Sequence, residues 1–377
     1  MQFKDVIGQK AVKQRLINSV KENRVSHAQL FLGPEGSGNL AMAIAYAQYL
    51  VCENQQETDS CAICSACIKM NKLVHPDVTF TYPVATKEKI TKPKSVDFVE
   101  EWRKAVIENP YQNFNDWVES LSIENKQGII SVEESADILR RLSLKSVESG
   151  YKIVIIWLPE KLHVSAANKL LKVIEEPPDQ TVFILVAENH EQIISTITSR
   201  TQLIKINRIS DDELAENMVS KHGLQREVAK KIVHRADGNY REALLLLNHD
   251  PQEDDDSQLF LEWMRNCLKS NVSNISDFSE QMSKVGREKQ KMFLQTALHI
   301  ARECLMMNYA DHSMVRMEGK ELEDFRRFSP FVNKNNAEQF VNELNRAHFH
   351  LERNANTKIL FTDLSFTMNR LLHMKQA

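Results

Sequence analysis

Apolar residues follow two regimes along this chain: short unbroken runs in the first half and helical stripes throughout the second. Ala28-Gln29-Leu30-Phe31-Leu32, Tyr151 to Leu158 (YKIVIIWL), Thr181 to Ala187 (TVFILVA) and the shorter Thr201 to Ile206 read as buried strands. Continuous runs of this length suit a sheet covered on both faces. Helical patterns lie between them. They are Ala41 to Val51, Val132 to Leu144 with Ile138, Leu139 and Leu142 marking its apolar face, and Val164 to Glu176 with Ala167, Leu170, Leu171 and Ile174 at helical spacing. Pro177-Pro178 stops the last of these. Strands alternating with helices predict a parallel, doubly wound sheet whose ligands lie at the carboxyl ends of the strands. From Ser210 onward the pattern is helical only: Asp211 to His222, Arg226 to Ala236 and, after a break at Gly238, Tyr240 to Leu247. The acidic run Glu253-Asp254-Asp255-Asp256 reads as a linker. Beyond it, Leu259 to Leu372 supplies long amphipathic helices such as Lys291 to Met306, the pattern of a bundle.

One stretch fits neither regime. Phe80 to Gln127 is polar and studded with aromatics, with Lys87, Lys89, Lys92 and Lys94 beside Trp102, Tyr111, Phe114 and Trp117. The lysines could meet nucleic acid or a partner. A solvated surface insertion folded over its own aromatics is the favoured reading, because charge runs usually face water. The 377 residues suffice for two or three domains with a real core. A net charge of −3 supplies no global basic field, so strong autonomous DNA binding is not expected. That counts against a free-standing DNA-binding module. No run approaches the roughly 18 apolar residues of a membrane span, and Met1-Gln2-Phe3-Lys4-Asp5 has no apolar signal core. The expectation is an intracellular, cytoplasmic protein with no membrane contact.

The first strand runs into Gly33-Pro34-Glu35-Gly36-Ser37-Gly38-Asn39-Leu40, and a helix follows. A phosphate-cradling loop has the pattern G-x-x-x-x-G-K-[ST] in this setting. Gly33 and Gly38 hold its two glycine positions, but Asn39 replaces the lysine and Leu40 the Mg²⁺-binding hydroxyl. A neutral amide and an isobutyl group perform neither task. The strand Tyr151 to Leu158 repeats the deficit. An ATPase ends this strand with an aspartate for Mg²⁺, often followed by a glutamate that orients water. Here Trp157 and Leu158 stand in those places, with Glu160 and Lys161 two residues too late. Four deficits in one site predict no ATP hydrolysis and leave ATP binding itself open.

Six cysteines divide into a cluster, Cys52, Cys61, Cys64 and Cys67, and two isolated residues, Cys267 and Cys304, in apolar helical surroundings. Thiolates two residues apart can turn onto one metal ion, and four of them satisfy tetrahedral Zn²⁺ with no open position. A structural rather than catalytic Zn²⁺ is expected there, and Cys267 and Cys304 are expected to be core thiols.

Phe3-Lys4-Asp5-Val6-Ile7-Gly8-Gln9, followed by His27-Ala28 and the glycine loop, resembles the opening of bacterial DNA polymerase III clamp-loader subunits, AAA+ proteins of the γ/τ/δ′ type. The four-cysteine module after the loop helix and the block Ala166-Ala167-Asn168-Lys169-Leu170-Leu171-Lys172-Val173-Ile174-Glu175-Glu176-Pro177 are similar too. Ser199-Arg200-Thr201 resembles the family's Ser-Arg-Cys motif, with Thr201 in place of the cysteine, and Gly238-Asn239-Tyr240-Arg241-Glu242-Ala243-Leu244 resembles its sensor-2 segment. The matches cover about the first 250 residues of the chain.

The resemblance implies an α/β AAA+ P-loop NTPase-like domain with a RecA-like parallel sheet over 1–208. It would carry a four-cysteine zinc module at about 52–67 and an insertion at about 80–127. A small helical lid over 209–252 and an all-α collar for oligomerisation over 253–377 would follow. Within the family the γ/τ subunits have complete ATP sites and the δ′ type lacks them, and the missing residues here resemble the latter. Implied partners are γ/τ and δ and, through the complex, the sliding β clamp and primed DNA, at a nucleoid-associated replisome. Arg200 is implied as an arginine finger reaching a neighbouring γ/τ site. Gly33, Gly36, Gly38, Asn39 and Arg241 would be what remains of the chain's own nucleotide site, with an interdomain ion pair as the other reading of Arg241. The alternative is a γ/τ-like ATPase with an atypical loop.

Overall fold

The computed structural model describes residues 1–86, 92–121, 128–148, 150–248, 255–309, 319–352 and 355–374. The chain divides into two compact units, Met1–Leu247 and Asn248–Ala377. In the first, five strands form one parallel sheet: β1 (Ala28–Leu32), β2 (Val78–Thr81), β3 (Lys152–Trp157), β4 (Thr181–Ala187) and β5 (Gln202–Lys205), ordered β2-β3-β4-β1-β5. This is the parallel sheet, alternating with helices, that the strand and helix runs predict.

Strand alternation sorts side chains onto two faces. Ile153, Ile155 and Trp157 of β3 and Val182, Ile184 and Val186 of β4 enter one core. Val154, Ile156, Phe183, Leu185 and Ala187 enter the other. The first face is covered by α1 (Lys10–Lys21) and by α2 (Asn39–Val51), which is buried along its whole length. After α2 come the cysteine segment with α3 (Ser65–Asn71) and then α4 (Val99–Glu108) and α5 (Phe114–Ser120). The second face is covered by α6 (Val132–Leu142), α7 (Val164–Glu175) and the single turn α8 (Ser195–Thr198). Three further helices complete the unit: α9 (Asp211–His222), α10 (Arg226–Ala236) and α11 (Tyr240–Asn248). Ser210 caps α9, whose first turn carries Asp211, Asp212 and Glu213 at the positive end of the helix dipole.

Several sequence expectations are corrected. The stretch from Phe80 begins inside β2, an edge strand not anticipated from Val78-Thr79-Phe80-Thr81. Its aromatics pack on one another, as expected, but also on the sheet, so the segment is not a separate surface insertion. Trp102 is 1% exposed and stacks on Tyr82 at 4.0 Å, with Trp117 at 5.2 Å and Trp157 of β3 at 5.1 Å. The Trp117 indole donates to the Pro83 carbonyl at 2.8 Å. The segment therefore belongs to the core of the first face. Lys92 pairs with Glu133 at 3.6 Å, while Lys87, Lys89 and residues 122–127 lie outside the described residues. Helix α6 ends at Leu142, and Leu139, expected on its apolar face, is 36% exposed. Asp255 and Asp256, read as linker, open α12; Glu253 and Asp254 lie outside the described residues.

The second unit is wholly helical among its described residues: α12 (Asp255–Leu268), α13 (Val272–Lys284), α14 (Arg287–Tyr309), α15 (Gly319–Phe328), α16 (Ala337–Glu352) and α17 (Thr357–Leu372). Trp263 sits at its centre, stacked on Phe278 at 5.2 Å, with its indole donating to Ser365 Oγ at 2.8 Å. Cys267 and Cys304 are buried core thiols, each pushed up to about 12 by burial.

The burial contrast along α4 gives a direct test. Trp102→Ala should destabilise the chain by about 3–5 kcal/mol, as for other buried tryptophans. Ile107→Ala, on the same helix but 56% exposed, should change stability by no more than about 0.5 kcal/mol. Urea denaturation of the two variants checks this, and equal effects would contradict the placement of the segment in the core.

Candidate functional site

The glycine loop leaves the end of β1 with the Gly33 N–H bonded to the Ala187 carbonyl of β4 at 3.2 Å. Gly36 (φ +69°) and Gly38 (φ +91°) occupy the left-handed region, where a side chain is strained. A Cβ on Gly36 would overlap the Asn239 amide, and one on Gly38 would stand 2.9 Å from the Tyr111 ring. Asn39 opens α2 and is 8% exposed. Its Nδ2 donates to the carbonyls of Gly33 (2.5 Å) and Ala187 (3.2 Å), and its Oδ1 accepts from Ser37 Oγ at 3.0 Å. The amide thus turns inward and ties the loop to the end of β4. A lysine here would have to point outward to reach a phosphate. Leu40 lies in the core.

The end of β3 carries no carboxylate. Trp157 is buried against Trp102, and Leu158 is buried in a left-handed conformation (φ +57°). Glu160 follows, and its Oε1 accepts the backbone N–H groups of Glu188 (2.6 Å) and Asn189 (2.8 Å). Burial pushes its pKa up, against those bonds. It holds the turn after β4 in place.

Two more elements meet the loop. The Tyr240 N–H at the start of α11 donates to the Gly36 carbonyl at 3.0 Å. Tyr111, between α4 and α5, packs edge-on to the Tyr240 ring at 4.8 Å, and its hydroxyl accepts the Ile7 N–H at 2.9 Å. Arg241, 11% exposed in its side chain, donates through Nε and Nη2 to the two carboxylate oxygens of Asp116, both at 2.6 Å, and through Nη1 to Glu35 Oε1 at 3.3 Å. Burial works against the guanidinium's charge, but the Asp116 bonds and the Glu35 field outweigh it and hold its pKa above the ordinary value. Asp116 also accepts the Asn113 N–H at 3.1 Å in the capping box of α5, which fixes its carboxylate from both sides. Gly33, Gly36, Gly38, Asn39 and Arg241 are thus brought together, joined by Tyr111 and Asp116. Those two were missed as site residues. The Asn113-x-x-Asp116 spacing signals a helix start, and no local pattern signals an arginine 125 positions away.

Arg200 lies elsewhere, in the turn from α8 into the edge strand β5. Its Nε donates to Glu175 Oε2 at 2.6 Å and its Nη1 to the Thr196 carbonyl at 3.1 Å, leaving the side chain 33% exposed. Glu175 ends α7 and lies in the Ala166–Pro177 block, so two separate sequence motifs meet in this pair.

The four clustered cysteines also converge. Cys52 caps the end of α2 and Cys64 the start of α3, and all four Sγ atoms lie within 4.8 Å of one another. Cys61 and Cys67 Sγ are 3.9 Å apart. The tetrahedral edge for Zn–S bonds of about 2.3 Å is about 3.8 Å, so this cluster can hold a zinc ion. Backbone N–H groups of Cys61, Cys64 and Cys67 point at the sulfurs of Cys52, Cys61 and Cys64 at 3.3–3.4 Å. The Cys64 N–H draws the Cys61 thiol down to about 6, whereas burial pushes Cys52 and Cys67 up. A bound cation is what would let the buried pair ionise with the others.

The family described as "DNA polymerase III, delta subunit" matches residues 8–210. The chain is 25% identical to DNA polymerase III subunit tau of Bacillus subtilis over 380 aligned positions, covering 95% of this chain and 60% of that one. It is 27% identical to DNA polymerase III subunit gamma of Buchnera aphidicola (66% and 58% covered) and 28% identical to DNA polymerase III subunit delta′ of Bacillus subtilis (57% and 53% covered). The chain therefore spans about 60% or less of the length of these curated relatives. A solved structure of a gamma subunit-related protein of Thermotoga maritima aligns over 96% of this chain and 99% of its own at 14% identity, with a TM-score of 0.36. No helix among the described residues is long and apolar enough to cross a membrane.

Protein purified without chelator should contain one Zn²⁺ per chain by elemental analysis. Cys61→Ser should lose the metal and raise protease sensitivity around 52–67 while the sheet survives, because a structural zinc contributes folding energy locally. Zinc-free wild-type protein of unchanged stability would refute the site.

Proposed function

We infer the role of this chain from one premise: it belongs to the family described as DNA polymerase III, delta subunit. Its relatives among tau, gamma and delta′ subunits make it a clamp-loader subunit of the γ/τ/δ′ type, acting in DNA replication. We propose that it is the δ′ type, the stator beside δ and γ/τ, which helps place the sliding β clamp on primed DNA and hydrolyses no ATP itself. The observation that carries this reading is the inward-turned Asn39. The amide that stands where a phosphate-binding lysine belongs is committed to three bonds beneath its own loop. With Trp157 and Leu158 packed into the core, the loop offers no lysine and the end of β3 no carboxylate for Mg²⁺.

In this reading the chain's contribution to hydrolysis is Arg200, acting on the neighbour's site. A guanidinium suits that task through its permanent charge and planar fork. Its pairing with Glu175 supplies a resting position at the sheet edge, from which a more highly charged phosphate could draw it. A γ/τ-like ATPase is the second reading, favoured by the alignment to the tau subunit over 95% of this chain. Purified chain should show no steady-state ATP hydrolysis above background, with or without DNA. Saturable turnover that co-purifies with the chain would favour the second reading.

Arg200→Ala should cost only about 0–1 kcal/mol of stability, as expected for a partly exposed ion pair. In a loader reconstituted with γ/τ and δ, it should leave assembly intact and lower clamp- and DNA-stimulated ATPase and clamp loading. An arginine finger is worth roughly 10³–10⁵ in rate at one site. The loss at complex level should be smaller, because one site among several borders this chain. Arg200→Lys should not restore the rate fully. Unchanged rates in an intact mutant complex would remove Arg200 from the mechanism.

A further inference from the structure

The glycine loop is not empty of charge or of aromatic surface, since the chain's own segment between α4 and α5 supplies both. Tyr111 lays its ring against Gly38 at the start of α2 and edge-on to Tyr240, with its hydroxyl on the Ile7 N–H. Five residues later, Asp116 presents both carboxylate oxygens to Arg241, the arginine of α11 that adjoins the loop through Glu35. An aromatic ring and an anion are the two chemical features by which a nucleotide is held, and a fork-to-fork contact with a guanidinium is the geometry that a phosphate would take.

We propose that residues 98–121 are the resident ligand of this pocket, with Tyr111 in the place of a base and the Asp116 carboxylate in the place of a phosphate, so that loop, α5 and α11 are locked together and no free nucleotide is taken up. Electrostatics and sterics favour the lock together. A nucleotide would have to take Arg241 from a two-bond contact in which its side chain is 11% exposed, and would leave Asp116 beside the incoming phosphates. Glu35 within the loop adds a second carboxylate facing the same space. No lysine from the loop offsets these charges, because Asn39 is turned inward and Lys161 lies over the Phe114 ring at 4.4 Å. The Tyr111 hydroxyl bond to Ile7 ties the segment also to the chain's first turns. The same contacts that exclude a ligand therefore fix α11 against the loop without one. The lock concerns this chain alone and stands or falls independently of assembly with other subunits.

The test uses the full chain in four forms: wild type, Asp116→Asn, Arg241→Gln and the double substitution, with Tyr111→Ala as a fifth. Titration with a fluorescent ATP analogue up to millimolar concentration should give no saturable signal with wild type. Each single substitution of the pair should lower Tm, and the double should lower it no further than the worse single, because the two side chains act as one contact. Hydrogen exchange should speed by roughly tenfold or more together in 111–121 and in 239–247 in Asp116→Asn, the loss expected of a charge-assisted contact. Amides of β3 and β4 should be unaffected. Asp116→Asn is close to isosteric and keeps the test decisive if Tyr111→Ala does not fold. Saturable nucleotide binding by wild type, additive effects of the two substitutions, or faster exchange in only one of the two segments would each overturn the proposal.

Discussion

The first unit is organised by the need to bury α2 on every side. Its 13 residues, rich in alanine and apolar nearly all round, lie in the core from Asn39 to Val51. Such a helix is stable in water only if something covers the whole of it. The sheet covers one side, where Tyr46 accepts from Gln29 at 3.2 Å and packs on Phe31. The N-terminal turn covers another through Phe3 on Tyr49. That turn is in turn held by Asp59, which accepts the N–H groups of Phe3 and Lys4 at 3.0 Å from within the cysteine segment. The cysteine cluster, starting at the C-terminal cap of α2, thus anchors part of the cover as well as itself. Tyr111 and Arg241 close the remaining end, over the loop.

Much of this was legible in the sequence, for reasons that differ by element. β1, β3 and β4 are buried on both faces, so hydrophobicity alone marks them, and their bounds fall within a residue or two of the apolar runs. Helix α9 begins and ends on local signals, Ser210 before an acidic turn and Gly223 in a left-handed conformation after the last turn, and α10 ends at the left-handed pair Asp237-Gly238. The cysteine spacing was equally direct. β2 was not visible because an edge strand of four residues, two of them threonines, has no run long enough to stand out. Leu139 was misplaced by a single helical step, since the buried face of α6 has only Ile138 and Leu142 as large apolar residues, beside Glu134, Ser135 and Asp137, and Leu139 sits next to it.

The candidate site was legible in what it lacks and illegible in what fills it. Asn39, Leu40, Trp157 and Leu158 depart by residue type alone from the phosphate- and Mg²⁺-binding pattern. What those residues do instead depends on partners that only the fold supplies, such as the Ala187 carbonyl for Asn39 and the Trp102 ring for Trp157. Long-range polar pairs like Arg241 with Asp116 have no periodicity and no fixed spacing, so an ion pair was one reading of Arg241 but nothing along the chain named its partner. The same holds for Arg200, whose tie to Glu175 links two motifs that the sequence presents separately.

The glycines of the loop now carry a different meaning from the one their spacing suggests. In an open loop, glycine at these positions makes room for an incoming ligand. Here a side chain at 36 would collide with Asn239, and one at 38 with Tyr111, both parts of the protein itself. The backbone shape is thus demanded by internal fit, as at any tight corner of a core. A glycine pattern of this kind therefore reports a geometry and not an occupant. Whether the occupant comes from solution or from the chain is decided by the residue after the last glycine, and by whether another segment of the chain already fills the groove.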